Sequence, residues 1–172
     1  NGLVNENVAD RVDRPKKGKY LAAFYSKEEL ATLFEATKDD SISVVIQLAA
    51  YYGLRRSEVL GIRWSAIDFE KGTLSINHKV TEGIMNGKES YCTDYLDYVC
   101  TDEMGKLFRP NYITDHFKLL LKQHGLRHIR FHDLRHSCAS LLLSQGIPMK
   151  QIQEWLGHST FATTADIYSH LD

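Results

Sequence analysis

Apolar side chains recur at the three- and four-residue spacing of α-helices over most of the chain. Residues 26–29 (Ser-Lys-Glu-Glu) form a capping box at the start of the first such run. Residues 41–52 are apolar nearly all round, which predicts a central buried helix. A further helix is predicted directly before Gly157, and we expect its residues Ile152, Trp155 and Leu156 to face the core. Two further helical runs are predicted, at residues 110–125 and 134–146.

A second pattern, the alternation of apolar and polar residues typical of a half-buried strand, occurs at residues 73–80. Residues 90–93 are its expected partner across a glycine-containing turn. The predicted fold class is therefore mainly α with a small antiparallel β-sheet, an α+β domain, and no internal repeat accompanies it.

Composition limits the size and partners of this domain. The 172 residues, 43% of them hydrophobic, fit one domain with a sizeable core. With 21 Lys and Arg against 22 Asp and Glu, the net charge is −1, which taken alone disfavours a nucleic-acid partner. The charges are segregated, however: residues 11–19 carry five basic residues and one Asp, residues 127–136 are rich in Arg and His, and residues 94–103 are acidic. A basic face is therefore compatible with the neutral sum.

Apolar runs, the first residues of the chain and the cysteines all bear on the expected cellular location. No apolar run approaches the roughly 18 residues that span a bilayer, and the first residues lack the pattern of a signal peptide. Three cysteines, an odd number at no metal-like spacing, favour a reducing compartment. We therefore expect a soluble, cytoplasmic protein that does not bind membranes.

Several local groups carry residues that can act on an anion. Arg55 precedes a predicted helix start, where the helix N-terminus and the guanidinium both favour negative charge. His132 and Arg135 project from one side of a first helical turn, and such a pair suits a phosphate. His158 follows a helix-ending glycine and is free to enter a cleft. Each feature also has a plain structural interpretation: surface charge for Arg55, a capped helix for the histidine and arginine pair, and a core-edge tyrosine for Tyr168.

A zinc site is a further interpretation of the same region. His132 and His136 are spaced i, i+4, as two ligands on one helix are. The glutamate expected between them in a zinc hydrolase helix is absent, and no third ligand is evident. We therefore predict no metal.

Taken together and in order, these groups resemble the catalytic domain of the tyrosine recombinases, the phage-integrase family, and look most like integrases of conjugative transposons and phages. The resemblance covers about Ser26 to Tyr168. It is carried by residues 53–58 (Gly-Leu-Arg-Arg-Ser-Glu), 132–137 (His-Asp-Leu-Arg-His-Ser), 156–159 (Leu-Gly-His-Ser) and 167–168 (Ile-Tyr).

The resemblance implies an enzyme that cuts and rejoins double-stranded DNA for integration and excision of a mobile element. Tyr168 would be the nucleophile that forms a 3′-phosphotyrosyl bond, and Arg55 and Arg135 would clamp the phosphate oxygens. His132 would accept the tyrosine proton, and His158 would donate a hydrogen bond to the phosphate. Neither ATP nor a metal ion nor another cofactor is implied. Self-association into a tetramer on DNA is implied for the full-length protein.

The sequence departs from the family at one internal point. The family carries an essential lysine in a β-hairpin turn, and a segment of some tens of residues that includes it is missing near Asp94 and Tyr95. Lys88 is the nearest candidate by position but precedes the expected strand, so the general acid stays unassigned.

The domain boundaries follow from the same resemblance. Residues 1–19 are interpreted as a basic linker from an N-terminal DNA-binding domain that is not in this sequence, and residues 20–172 as the catalytic domain. The sequence ends four residues after Tyr168, where relatives often continue into a tail that packs on a neighbouring subunit, so tetramer assembly by this chain alone stays open.

Two other functions compete with the recombinase. A type IB topoisomerase-like enzyme shares the chemistry but relaxes supercoils. A non-enzymatic, helical DNA-binding regulator would use the helices of residues 132–157 as a helix-turn-helix, would form no covalent adduct and would leave Arg55 and Tyr168 without roles.

Overall fold

The structure is a computed structural model that describes residues 23–81 and 95–157. Within these ranges the chain forms six α-helices and one two-stranded antiparallel sheet, which confirms the predicted fold class. In chain order the elements are α1 (Lys27–Ala36), α2 (Ser43–Tyr52), α3 (Arg56–Leu60), β1 (Ile67–Asp68), β2 (Thr73–Leu74), α4 (Pro110–Gln123), α5 (Asp133–Ser144) and α6 (Met149–Leu156).

The central helix is α2, which packs against α1, α3 and α5. Its buried side chains lie on several faces, as the all-round apolar pattern predicted, and include Val45, Ile46 and Ala49. The helix begins two residues later than the pattern indicated, because the Asp40 carboxylate accepts the Ile42 N–H at 2.9 Å and holds the chain in a turn there. α2 thus supplies the core on which the other helices are arranged.

The predicted capping box opens α1 and also ties the two halves of the chain together. The Ser26 hydroxyl accepts the Glu29 N–H at 3.2 Å, and the Glu29 carboxylate accepts the Ser26 N–H at 2.8 Å. The same carboxylate pairs with the Arg127 guanidinium, with contacts of 2.8 and 2.9 Å. These hydrogen bonds from Arg127, together with that from Ser26, lower the pKa of Glu29.

The prediction of a strand over residues 73–80 is wrong beyond its first two residues. β2 is confined to Thr73–Leu74 and pairs with β1, whereas the Val80 N–H donates to the Ser57 carbonyl at 2.9 Å. The backbone at His78 passes so close to α3 that a Cβ on Gly61 would lie 2.5 Å from the His78 carbonyl oxygen. The chain at residues 78–80 therefore lies against α3 and its C-terminal glycine. The expected partner at residues 90–93 lies outside the described residues.

α6 buries two of the three side chains that were predicted to face the core. Ile152 and Leu156 are buried as expected, but Trp155 is 57% exposed, so its predicted inward orientation is wrong. None of the helices in the described parts of the chain combines the length and the hydrophobicity needed to cross a membrane.

Candidate active site

The ends of α2 and α6 converge on one buried arginine of α5. The Arg135 side chain lies between them and is only 2% exposed. Its Nη1 donates to the Gly53 carbonyl at 2.5 Å, and its Nη2 donates to the Leu156 carbonyl. Carbonyl groups at helix C-termini carry partial negative charge, so this position stabilises a buried cation.

Gly53 makes the convergence possible. It ends α2 with φ +65°, in the left-handed region that favours glycine. A Cβ at this position would lie 2.4 Å from Cδ2 of Leu156 and 3.3 Å from Sγ of Cys138. The end of α2 can therefore approach α5 and α6 closely only because residue 53 has no side chain.

Arg55 reaches the same place from the start of α3. Its backbone N–H and its Nη1 both donate to the Glu58 carboxylate, at 2.8 and 2.7 Å. Its Nη2 donates to the Gly157 carbonyl at 3.2 Å. Arg55 and Arg135, called the arginine pair from here on, thus bind the consecutive carbonyls of Leu156 and Gly157. Two guanidinium groups separated by 80 positions in sequence meet at one turn of the backbone.

The electrostatics of the arginine pair favour an anion. Burial, and then the positive charge of Arg55, lower the pKa of Arg135 to about 10. Although burial alone would raise it, the pKa of Glu58 is lowered, because hydrogen bonds from the backbone and side chain of Arg55 favour its charged form. Arg135 therefore stays protonated near neutral pH, and an anion placed between the two guanidinium groups would offset their repulsion.

His132 stands directly before α5, in a turn that the buried Asp133 carboxylate closes. The Asp133 side chain, 1% exposed, accepts the Arg130 N–H at 2.9 Å and its Nη2 at 2.7 Å. Burial, followed by the charge of Arg135, lowers the pKa of His132. Its imidazole is accordingly neutral near pH 7, the form that accepts a proton.

The second histidine of the pair considered for zinc, His136, lies in the first turns of α5. The rings of His132 and His136 meet edge to face, with centroids 5.5 Å apart. In residues 23–81 and 95–157, no group of three or more His, Cys, Asp or Glu side chains is arranged to hold a metal ion.

The structure brings together three of the five predicted site residues, namely Arg55, His132 and Arg135. His158, Tyr168 and the lysine candidate Lys88 lie outside the described residues. The predicted site lacks two carboxylates, Glu58, which binds Arg55, and Asp133, which binds Arg130. For Glu58 a signal exists in the sequence, since it follows Arg55 by three residues in the spacing of a capping box. For Asp133 the signal is the same three-residue spacing from Arg130, although its burial depends on packing.

Comparison with known proteins gives relatives of the whole chain. The family model described as the phage integrase family matches residues 23–172. The tyrosine recombinase XerC-like protein of Caldanaerobacter subterraneus subsp. tengcongensis is 29% identical over 195 aligned positions, which cover 86% of this chain and 50% of that protein. Tyrosine recombinase XerC of Xylella fastidiosa is 28% identical over 188 positions, which cover 99% of this chain and 64% of that protein. The chain thus spans between half and two thirds of the length of these relatives.

A solved structure shares the fold. The Tn1549 transposon integrase in complex with circular intermediate DNA superimposes with a TM-score of 0.72 at 18% identity. The match covers 96% of this chain and 66% of that one.

Proposed function

Because the chain belongs to the phage integrase family, we propose that it is the catalytic part of a site-specific recombinase that cuts and rejoins double-stranded DNA. The proposed reaction proceeds through a 3′-phosphotyrosyl intermediate and serves the integration and excision of a mobile element. The chain would work within a full-length protein that assembles as a tetramer on DNA. The DNA-bound transposon integrase with the same fold supports this choice of partner.

The observation that carries the proposal is the convergence of the arginine pair. Arg135 is buried among main-chain carbonyls and Arg55 donates to the next carbonyl along, so both guanidinium groups are fixed before any substrate arrives. Donors fixed in advance stabilise charge that develops in a transition state without reorganising, and each such donor is worth about 100-fold or more in rate. A phosphodiester under attack is a substrate whose charge develops in this way.

The remaining roles follow the family resemblance. Tyr168 attacks the phosphorus, its proton passes to His132, and the bond from phosphorus to the 5′-oxygen breaks. His158 donates a hydrogen bond to a phosphate oxygen. A phenol has a pKa of about 10, so its ionisation near neutral pH requires a base and nearby positive charge. The lowered pKa of His132 supports its role as that base.

The group that protonates the leaving 5′-oxygen is not assigned. The alignment with the Caldanaerobacter relative extends over 195 positions but takes in only 86% of the 172 residues of this chain. That relative therefore has residues with no counterpart here, as a missing segment near Asp94 would require.

The test uses a substrate that needs no general acid. Short duplexes carry one central 5′-bridging phosphorothiolate between randomised flanks, because a thiolate leaves without protonation. After incubation and denaturing electrophoresis, we expect a covalent adduct with the parent chain and none with Tyr168→Phe. The flanks enriched in the adduct then define the DNA used for kinetics.

Two outcomes would refute the proposal. One is the absence of any adduct with the parent chain, which would favour a DNA-binding regulator. The other is an equal yield of adduct from Tyr168→Phe, which would remove Tyr168 from its role. Intact mass measured on the same sample verifies that the tested protein has the printed sequence.

A further inference from the structure

The end of α2 is held by an unusual set of side-chain donors. Its last carbonyl groups point away from the helix and have no partner within it, as at every helix C-terminus. Here three consecutive carbonyls each accept a hydrogen bond from α5 or α6. The three bonds join Cys138 Sγ to the Tyr51 oxygen at 3.2 Å, Trp155 Nε1 to the Tyr52 oxygen at 3.1 Å, and Arg135 Nη1 to the Gly53 oxygen at 2.5 Å.

Trp155 is the member of this set whose position the hydrophobic effect does not explain. The residue is 57% exposed, and the neighbours that anchor α6 in the core are Ile152 and Leu156. Its ring stacks on Tyr52, itself 46% exposed, with centroids 6.5 Å apart and planes at 11°. What the indole contributes besides this stacking is the directed N–H bond to the α2 carbonyl.

This bond joins the two backbone segments that the arginine pair also joins. On α2, the accepting residue Tyr52 is followed at once by Gly53, whose carbonyl binds Arg135. On α6, Trp155 is followed at once by the two residues whose carbonyls bind the arginine pair. The indole bond therefore lies one residue away from the arginine contacts on both segments.

We propose that Trp155 is a positioning residue for the arginine pair. Its indole N–H fixes the end of α2 against the end of α6, so that both guanidinium groups keep the separation that a phosphodiester requires as it is attacked. This inference rests on the proposed recombinase function. Catalysis is sensitive to such placement, because a misplacement of about 1 Å can cost about 100-fold in rate.

The test compares the two tryptophans of the chain in the phosphorothiolate assay, with DNA selected as above. Trp155→Phe keeps a ring on Tyr52 but loses the N–H donor. We expect single-turnover adduct formation at saturating DNA to slow about tenfold, the equivalent of about 1.4 kcal/mol in the barrier. The Kd for DNA and the melting temperature should stay close to those of the parent. Trp64→Phe is the matched control, since Trp64 is similarly exposed at 49% and lies outside the arginine site; its rate should equal the parental one.

A second variant separates the N–H donor from the shape of the ring. Replacing Trp155 by 3-benzothienylalanine retains the bicyclic side chain and removes only the donor, so it should slow the reaction as much as Trp155→Phe does. A parental rate with the benzothienyl side chain would overturn the inference. The inference would also be overturned if the slower rate of Trp155→Phe were accompanied by a tenfold weaker Kd for DNA or by a clear fall in melting temperature. If the parent chain itself forms no adduct, the proposed function fails. If the parent chain forms the adduct and the Trp155 variants form it at the same rate, only the positioning role is refuted.

Discussion

Gly53 offers the sharpest test of how the site is built, because its substitution should destabilise the fold and the site for the same reason. In Gly53→Ala the added methyl group meets Leu156 Cδ2 at 2.4 Å and Cys138 Sγ at 3.3 Å. The backbone at this position also has φ +65°, which an alanine adopts only with strain. Either the buried Leu156 side chain must shift or the end of α2 must move away from α6, and the second response moves the Gly53 carbonyl relative to Arg135.

The two costs can be estimated separately. An L-residue in the left-handed region costs roughly 1 to 2 kcal/mol. Overpacking a filled junction costs typically about 1 to 3 kcal/mol more. The free energy of unfolding should thus fall by about 2 to 5 kcal/mol, and in a protein of this size each kcal/mol lowers the melting temperature by roughly 2 to 4 °C.

The matched control is Gly125→Ala at the end of α4. Gly125 has φ +63°, almost the same backbone conformation, but no atom lies within 4 Å of the position of an added Cβ. This variant carries the strain without the clash, so urea denaturation of both proteins isolates the packing cost. We expect Gly53→Ala to be the less stable by about 1 to 3 kcal/mol. Equal stabilities would show that the α2 and α6 junction is not closely packed.

Three further predictions concern the chemistry, each read out as covalent adduct on the phosphorothiolate duplex. Glu58→Gln should slow adduct formation about tenfold, because Arg55 loses the charged partner that orients it, whereas Glu35→Gln, in an exposed pair with Lys38, should have no effect. Arg135→Lys should reduce the rate by about 100-fold or more, since a lysine cannot donate in a fixed planar geometry; a near-parental rate would contradict the role of the arginine pair. Burial and the Arg135 charge lower the pKa of His132, so the rate should fall to half its maximum at a pH below 6.5, the ordinary histidine value; a half-maximal rate above pH 7 would exclude His132 as the base.

Features with a local cause were predictable from the sequence. The capping box at residues 26–29 and the glycine that ends α2 are determined by a few adjacent residues, and both are present. The placement of Arg55 before a helix start and of His132 with Arg135 in one helical turn also follows from short-range spacing. These predictions needed no knowledge of what lies elsewhere in the chain.

Features with a distant cause were not predictable in the same way. Trp155 has helical spacing appropriate to the core, yet it lies largely exposed, where the Tyr52 carbonyl, 103 positions earlier, accepts its N–H. The alternation at residues 73–80 is real, but after Leu74 that backbone lies close to Gly61 and is not a strand. The same limit applies to the site, where the convergence of two helix ends on Arg135 has no signature in any short stretch.

The near-zero net charge, which taken alone disfavours a polyanionic partner, has a structural explanation in these contacts. Three arginines each have a carboxylate partner within the domain, in the pairs Arg55 with Glu58, Arg127 with Glu29 and Arg130 with Asp133. Such carboxylates orient the guanidinium groups. In the net charge, the negative charge of each carboxylate cancels the positive charge of the arginine that it orients. Arg135 is held differently, by the carbonyl dipoles at two helix ends, which add no formal charge. A site built from oriented arginines can therefore attract an anion in a chain whose total charge is close to zero, because the position of each charge decides the local field.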